Sequence, residues 1–369
     1  LFRSLWFWIA ILLIVAGVAL TAALDVFYWL VAAFAVAVLL IGGVVLYAAY
    51  AVGGVEAPDV PRLREVPQEE RIPLIYDCDL AMGRPFRDVG DGLALLYLLG
   101  EPRIDLRAIT TTYGNAPRRV TTRIARRLLD ELGLADIPVV PGASSPAVDA
   151  RKNQAARHLI DAVRARPNEI VLLATGAMTN LKHASTLDSD FFTSLRSLYL
   201  MGGITNKLTW NGRQLRDRNF SIDPEAAYVA LQADCPTTIT SGEAGLSAIF
   251  RSPQFGVLQA MEDPVSRLIV QKTRFWFALM RLWFRDDGFA SWESVAALSI
   301  TQPELFDFER GHLPITVEDM RTGQLTVDPD VAGPVRLVRS VRDYEGFVRT
   351  QFAAWQHLGQ LVDTERKGL

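Results

Sequence analysis

From residue 72 to about residue 360, short runs rich in β-branched and aromatic residues alternate with amphipathic runs. The strand candidates are Leu74–Tyr76, Leu106–Thr112, Ile137–Val140, Ile170–Ala174, Ser197–Met201 and Thr237–Thr240. Helical runs such as Val120–Leu132, Ala155–Ala165 and Pro224–Gln232 lie between them. A strand that is followed by a helix and then another strand is most readily joined in parallel, with the helix crossing one face of the sheet. The alternation therefore predicts an α/β fold: an open, mostly parallel sheet with helices on both faces. In such sheets ligands bind beyond the carboxyl ends of the strands.

The residues before this region are of another kind. Between Leu5 and Tyr50 the only ionisable acid or base of ordinary pKa is Asp25. A membrane span needs roughly 20 apolar residues, so the segment is long enough for two. We place these transmembrane helices near Leu5–Ala23 and Phe27–Tyr50, as a hairpin turning around Asp25. A cleaved signal peptide would be shorter and single. Arg3 precedes the first span and Arg62, Arg64 and Arg71 follow the second, with no Lys or Arg in the turn. The positive-inside rule then places both ends, and the domain that follows, in the cytoplasm. The expected organisation is a two-pass membrane hairpin over 1–50, embedded in the lipid bilayer, a Pro-containing juxtamembrane linker over 51–71, and an α/β domain over 72–369. Small residues such as Gly42, Gly43, Ala48 and Ala49 would let another helix approach closely.

A net charge of −3 with no basic stripe interleaved with aromatics argues against nucleic acid as a partner. Arg118, Arg119, Arg123, Arg126 and Arg127 crowd one predicted helix and read as its solvated face. Cys78 and Cys235 are the only cysteines, which excludes a disulfide framework and gives no zinc spacing. The four histidines, His158, His183, His312 and His357, fall outside every motif and are expected at the surface. Phe275-Trp276-Phe277, Trp283-Phe284 and Phe289 offer either a wall for an aromatic ligand or ordinary helix packing; the spacing of Phe277, Met280 and Phe284 suits packing.

Polar residues collect where strands should end. Asp77 and Asp79 follow the first, Gly114-Asn115 the second, Thr175-Gly176 the fourth and Met201-Gly202-Gly203 the fifth. A second acidic segment, Asp88-Val89-Gly90-Asp91, opens an apolar helical run. Carboxylates converging from a strand end and a helix start suit a hard cation, Ca²⁺ or Mg²⁺.

In this order, the segments resemble the inosine–uridine nucleoside hydrolase family over most of residues 72–350. Asp77-Cys78-Asp79 resembles its opening Asp-x-Asp, and Thr110–Asn115 the segment ending in a ribose-holding Asn. Ala174–Leu181 is similar to its Gly-Pro-Leu-Thr-Asn block, Leu200–Gly203 to its Met-Gly-Gly strand end, and Asp217–Ala227 to its Glu-Phe-Asn…Asp-Pro-Glu-Ala-Ala block. Arg321–Asp328 resembles a late strand and turn. The resemblance implies hydrolysis of the N-glycosidic bond of a nucleoside or related N-riboside, with calcium (Ca2+) polarising the attacking water. It implies that Asp79, Asp91, the Thr175 carbonyl and Glu293 surround the ion, with Asp77 orienting that shell from behind. Asn115, Met201, Asn211, Asp217 and Asn219 would contact ribose. The family is commonly oligomeric, so a homo-oligomer is an expectation too.

The pattern departs from the family at several positions. The loop Leu80–Arg87 is longer than usual, and Gly90 stands where the family has an Asp that the resemblance makes the water-activating base. Asp88, beside Asp91, is the expected substitute. The family's late His-Asp pair reads Trp292-Glu293; Trp292 cannot donate a proton as His does, but can stack on a base. Asp217 stands where Glu is usual. These changes leave a second reading open: a degenerate relative that binds a ribosyl ligand as a sensor or as a subunit of a membrane assembly. A haloacid-dehalogenase-like phosphatase also has an Asp-x-Asp after its first strand, but that reading leaves the Thr-Asn-Leu and Asp-Pro-Glu-Ala-Ala blocks without a role.

Overall fold

The computed structural model describes residues 26–39, 42–43, 60–331 and 333–368, the last four by backbone only. The chain divides into two units, Leu1–Ala51 and Val52–Leu369. In the first, residues 26–39 are helical and their side chains are exposed, with Trp29 at 77% and Leu39 at 74%. Among the described residues no helix is long and apolar enough to cross a membrane. The expected span Leu5–Ala23, the turn at Asp25 and most of the second half of Phe27–Tyr50 lie outside the described residues, as does 51–59 of the expected linker. The rest of that linker is not free of the domain: Val60 is buried in the main core and Leu63 packs against it.

Eight strands of the second unit form one sheet. They are β1 (Ile72–Cys78), β2 (Ile104–Thr111), β3 (Val139–Pro141), β4 (Val171–Ala174), β5 (Ser197–Met201), β8 (Thr237–Thr240), β11 (Phe306–Gly311) and β12 (Val335–Val341). Their order across the sheet is β11-β12-β8-β5-β4-β1-β2-β3, and every pairing is parallel except β11 with β12. Two small antiparallel ribbons, β6 (Thr209–Trp210) with β7 (Arg213–Gln214) and β9 (Ile249–Arg251) with β10 (Gly288–Ala290), complete the strands among the described residues.

The six expected strands all lie in this sheet; Ser197–Met201 and Thr237–Thr240 keep their expected ends, and the others shift by at most two residues. Strands β11 and β12 do not appear in the sequence reading: their apolar residues alternate with Asp, Glu and Arg, which shortens each apolar run. Arg321–Asp328, expected as a strand and turn, is a turn that touches the rest of the chain through isolated bridges at Gln324 and Asp328.

Successive side chains of a strand point to opposite faces. On β1, Leu74, Tyr76 and Cys78 enter one apolar core and Ile75 enters the other. Helices Gly90–Gly100, Pro264–Phe284, Trp292–Thr301 and Tyr344–Gly368 contribute to the first core. Helices Gln154–Ala165, Thr179–Leu187 and Pro224–Leu231 contribute to the second. Each fully buried Leu or Ile side chain stabilises the fold by roughly 1.5–3 kcal/mol, so the two-faced burial fixes the register of β1 and thereby the places of Asp77 and Asp79. The arginine-bearing face of helix Arg118–Leu132 is solvated at Arg119, Arg123, Arg126 and Arg127, as expected. His183 is a correction: it is only 5% exposed, with Nδ1 3.0 Å from the Asn153 amide.

Candidate active site

The site begins at the carboxyl end of β1. Asp77 pairs in register with Thr110 of β2 and Ala174 of β4, so it is walled on both sides by backbone. Its Oδ2 accepts from the Thr110 hydroxyl at 2.5 Å and from the Asn180 amide at 2.7 Å. Its Oδ1 is buried with no partner. Burial raises its pKa to about 7, against the hydrogen bonds, which pull it down. Asp79, two residues further on, accepts the backbone N–H of Asn115 at 2.5 Å. Gly114 permits this approach: its φ is +147°, and a Cβ there would lie 2.1 Å from Asp79 Oδ2.

Helix Gly90–Gly100 brings the second acidic group. Asp91 Oδ1 accepts from the Tyr76 hydroxyl at 2.9 Å and from the Thr175 hydroxyl at 2.5 Å. Asp91 lies close enough to Asp79 for its charge to act there, and two carboxyl groups so placed call for a proton or a cation between them. Burial and the Asp91 charge hold Asp79 well above the usual carboxylate range. Asp88 accepts the Gly90 N–H at 2.7 Å, and its backbone exchanges two hydrogen bonds with the Asn115 side chain, at 3.0 and 3.1 Å. Its pKa is raised to about 6, chiefly by burial.

Glu293, on helix Trp292–Thr301, explains Gly90. A Cβ at position 90 would lie 1.8 Å from Glu293 Oε2 and 2.7 Å from its Cδ. The longer side chain of Glu293 thus fills the room that a side chain at position 90 would take. Oε2 is buried without a partner, and burial, then Asp88 and Asp91, push this carboxyl well above its usual range.

The third edge of the site comes from β5 and the loop after it. Asn219 donates to the Thr175 carbonyl at 2.8 Å and to the Met201 carbonyl at 3.1 Å, tying β4 to β5. Thr175 therefore reaches the acidic group through its hydroxyl, while its carbonyl, the expected ion ligand, accepts from Asn219. Asp217 is turned into backbone: it accepts from the N–H groups of Gly203 at 2.7 Å, Phe220 at 3.0 Å and Ser221 at 2.8 Å. Asn211 is not brought to the site. It sits in the β6–β7 turn at φ +45° and donates to the Phe284 carbonyl at 3.2 Å.

These edges surround a cavity of about 530 Å³. Asp79, Asp88, Asp91, Asn115, Met201, Asp217, Asn219, Trp292 and Glu293 line it; Asp77, Thr175 and Asn211 do not. Its far wall is aromatic, and here the two readings of the aromatic cluster are both realised. Trp276, Trp283, Phe284 and Phe289 face the cavity, and Phe277 is wholly in the core. Trp210 stacks on Phe284 with ring centres 4.3 Å apart. Trp292 is fixed by an indole N–H donated to the Gly242 carbonyl at 2.9 Å. The long loop Leu80–Arg87 folds over one side, with Phe86 at φ +59° packed edge-on against Phe275 at 5.2 Å.

Comparison with known proteins reads the same way as this geometry. The family profile of inosine-uridine preferring nucleoside hydrolases matches residues 74–349. The chain belongs to that family. An inosine-uridine preferring nucleoside hydrolase of Crithidia fasciculata is 25% identical over 288 residues, 70% of this chain and 87% of its own length. Uridine nucleosidase 1 of Arabidopsis thaliana is 24% identical over 270 residues, 65% of this chain and 79% of its own. Among solved structures, a purine-preferring ribonucleoside hydrolase from Gardnerella vaginalis superposes with a TM-score of 0.68 at 22% identity, covering 78% of this chain and 99% of that one.

In this nucleoside hydrolase family member, no three His, Cys, Asp or Glu side chains among the described residues are already gathered closely enough to hold a metal ion. The donor set nonetheless suits a hard cation: Asp79 and Asp91 close together, and Glu293 with a buried oxygen that nothing satisfies. The sequence reading missed several residues of the site. Tyr76, which positions Asp91, precedes the acidic motif and reads as core. Arg87, Arg216 and Arg218 line the cavity, and no pattern in their spacing marks them.

Proposed function

We propose that this protein hydrolyses the N-glycosidic bond of nucleosides or related N-ribosides with the help of a calcium ion. The observation that carries the reading is the convergence of Asp79, Asp91 and the unpartnered Glu293 with Asn115, Met201 and Asn219 on one cavity, in a chain of this family. Asp79, Asp91 and Glu293 are the residues that would hold the ion. Bound there, it would lower the pKa of a water and grip the ribose diol. Asn115 and Asn219 position the sugar, and the aromatic wall receives the base. Asp88, with its pKa near 6, accepts the proton of the attacking water. Asp77, pinned by Thr110 and Asn180, holds the end of β1 in place. Residues 5–50 tether the domain to a bilayer in this reading, on the strength of their composition and of the exposed apolar helix at 26–39.

One observation favours a binding role without turnover. Among the described residues the cavity lining contains no His, Lys or Tyr, and the indole N–H of Trp292 is already committed to Gly242. No imidazole, ammonium or phenol group of that lining is therefore at hand to protonate a departing base, and only the carboxyls remain. Ribose release from a panel of nucleosides, with and without calcium and beside Asp79→Ala, separates the two. Calcium-dependent release, reduced at least about 10²-fold in the variant, establishes the hydrolase. Calcium-dependent nucleoside binding with no release establishes the binding protein. Neither release nor binding removes both.

A further inference from the structure

We infer that the preferred substrate of this cavity is an N-riboside whose base is a cation, such as a pyridinium or an N7-alkylated purine joined to ribose through its charged ring. The inference rests on the hydrolytic reading above and adds the chemical class of the base. It starts from the proton that a neutral base needs. When the bond between C1′ and a neutral purine or pyrimidine breaks, the electron pair stays on the ring nitrogen, and a positioned acid protonates the departing ring. A cationic base takes the same electron pair and leaves neutral. The oxygen of the water joins C1′, one of its protons passes to Asp88, and the balance closes with no donor on the side of the base.

Among the described residues no side chain of the lining supplies the proton that a neutral base needs, wherever in the lining it sits. Asn115 and Asn219 carry amides, and Arg87, Arg216 and Arg218 carry guanidiniums, which do not lose a proton in proteins. Of the acids, Asp79, Asp91 and Glu293 are those that would hold the ion, as carboxylates, and Asp88 is the base for the water. Asp217 remains. Burial lifts its pKa, but it accepts from the N–H groups of Gly203, Phe220 and Ser221, which favour its ionised form. Trp292 stands where the family resemblance has a His, and Gly245 makes room for its ring: a Cβ at 245 would lie 1.7 Å from Trp292 Cδ1. The same lining attracts a positive ring. Asp79, Asp91 and Glu293 are at most 8% exposed, and one divalent ion among three carboxylates leaves a negative charge uncompensated. The three arginines are exposed, so solvent and salt screen them, and Arg218 acts on Asp88 more weakly than Asp91 does. Trp276, Met280 and Trp283 follow helical spacing on Pro264–Phe284, share one face of that helix and line the cavity. Indole faces attract cations, and the guanidinium of Arg213 already lies over the Trp283 ring at 5.5 Å.

The test compares inosine with N7-methylated inosine, whose extra methyl makes the base a cation, as substrates of the calcium-loaded full chain in detergent. An enzyme with an acid for the base helps the neutral member of this pair and brings the two rates together. Here kcat/KM should be at least about 10²-fold higher for the cation, the low end of what a positioned acid contributes. Trp292→His, which restores an acid to the lining, should narrow that ratio by raising release from inosine. A circular dichroism melt reports whether the variant folds, and the ratio in the unaltered protein stands without it. With a chelator in place of calcium, quenching of tryptophan fluorescence should show the cation bound about threefold or more tightly than inosine. A release ratio below about 10² overturns the inference and leaves the hydrolytic reading intact, because a donor for neutral bases must then exist. Equal binding of the two without calcium also overturns it, because the lining then has no attraction for a positive ring. Release from neither riboside removes the hydrolytic reading, and this inference with it.

Discussion

A methyl group at position 90 has nowhere to go. The atom it would meet, Glu293 Oε2, is the end of a side chain that is itself buried. Gly90→Ala should therefore lower stability by about 1–3 kcal/mol, as overpacking does, read from urea melts. Gly90→Asp should cost more alone, and the double change Gly90→Asp with Glu293→Asp should recover most of the loss, because the shorter acid withdraws from the contested space. The same cluster sets a pH dependence. The carboxyls of Asp77 and Asp88 titrate at about 7 and about 6 in the folded protein, above their ordinary values, so the folded state holds those protons more tightly than the unfolded one. Their contribution to stability is complete below the ordinary carboxylate range and is lost as pH rises through 6 and 7. In the presence of a chelator the melting temperature should be higher at pH 5 than at pH 8. Calcium should raise it far more at pH 8, where it does not compete with protons.

At the scale of elements, the helix that delivers Asp91 is held from behind. Gly100, its last residue, lies so close to the C-terminal helix that a Cβ there would be 1.9 Å from the Ala354 carbonyl oxygen. The fully buried Trp355 of that helix donates to the Leu93 carbonyl at 3.3 Å. Gly100→Ala should force the two helices apart, at a cost of about 1–3 kcal/mol, and loosen calcium binding at the opposite end of the helix. Isothermal titration beside a melt checks both. Strands β1 and β4 were readable because they are buried on both faces, which leaves nearly uninterrupted apolar runs. Strands β11 and β12 sit together at one edge, where alternate residues reach solvent and Arg and Asp interrupt the run. Asn211, expected at the ribose, is not among the residues that line the cavity. Spacing along the chain says nothing about the β6–β7 ribbon, which turns that residue toward Phe284. Gly90 and Glu293 could be read singly but not as a pair, since only the packing of two helices brings them together.

For the whole molecule, the membrane question turns on the apolar helix at 26–39. If residues 5–50 anchor the chain, the full-length protein should float with lipid vesicles in a density gradient, while a chain beginning at residue 56 should stay in the dense fraction. Recovery of both in the same fraction would count against the tether. The family was legible from motif order along three quarters of the chain. The arginines of the cavity were not, because residues distant in sequence share a site only after the loops have been placed.

Cys78, the last residue of β1, lies between Asp77 and Asp79, with its thiol at 0% exposure and its proton held tightly by burial and the neighbouring carboxylates. A thiolate is the form that alkylating reagents attack. In the native protein this sulfur is thus silent, and labelling at position 78 happens only during moments when the first strand comes away from its neighbours. The rate at which an alkylating reagent consumes Cys78 is a clock for those moments, and its slowing on addition of calcium would time how long the ion keeps the strand in place.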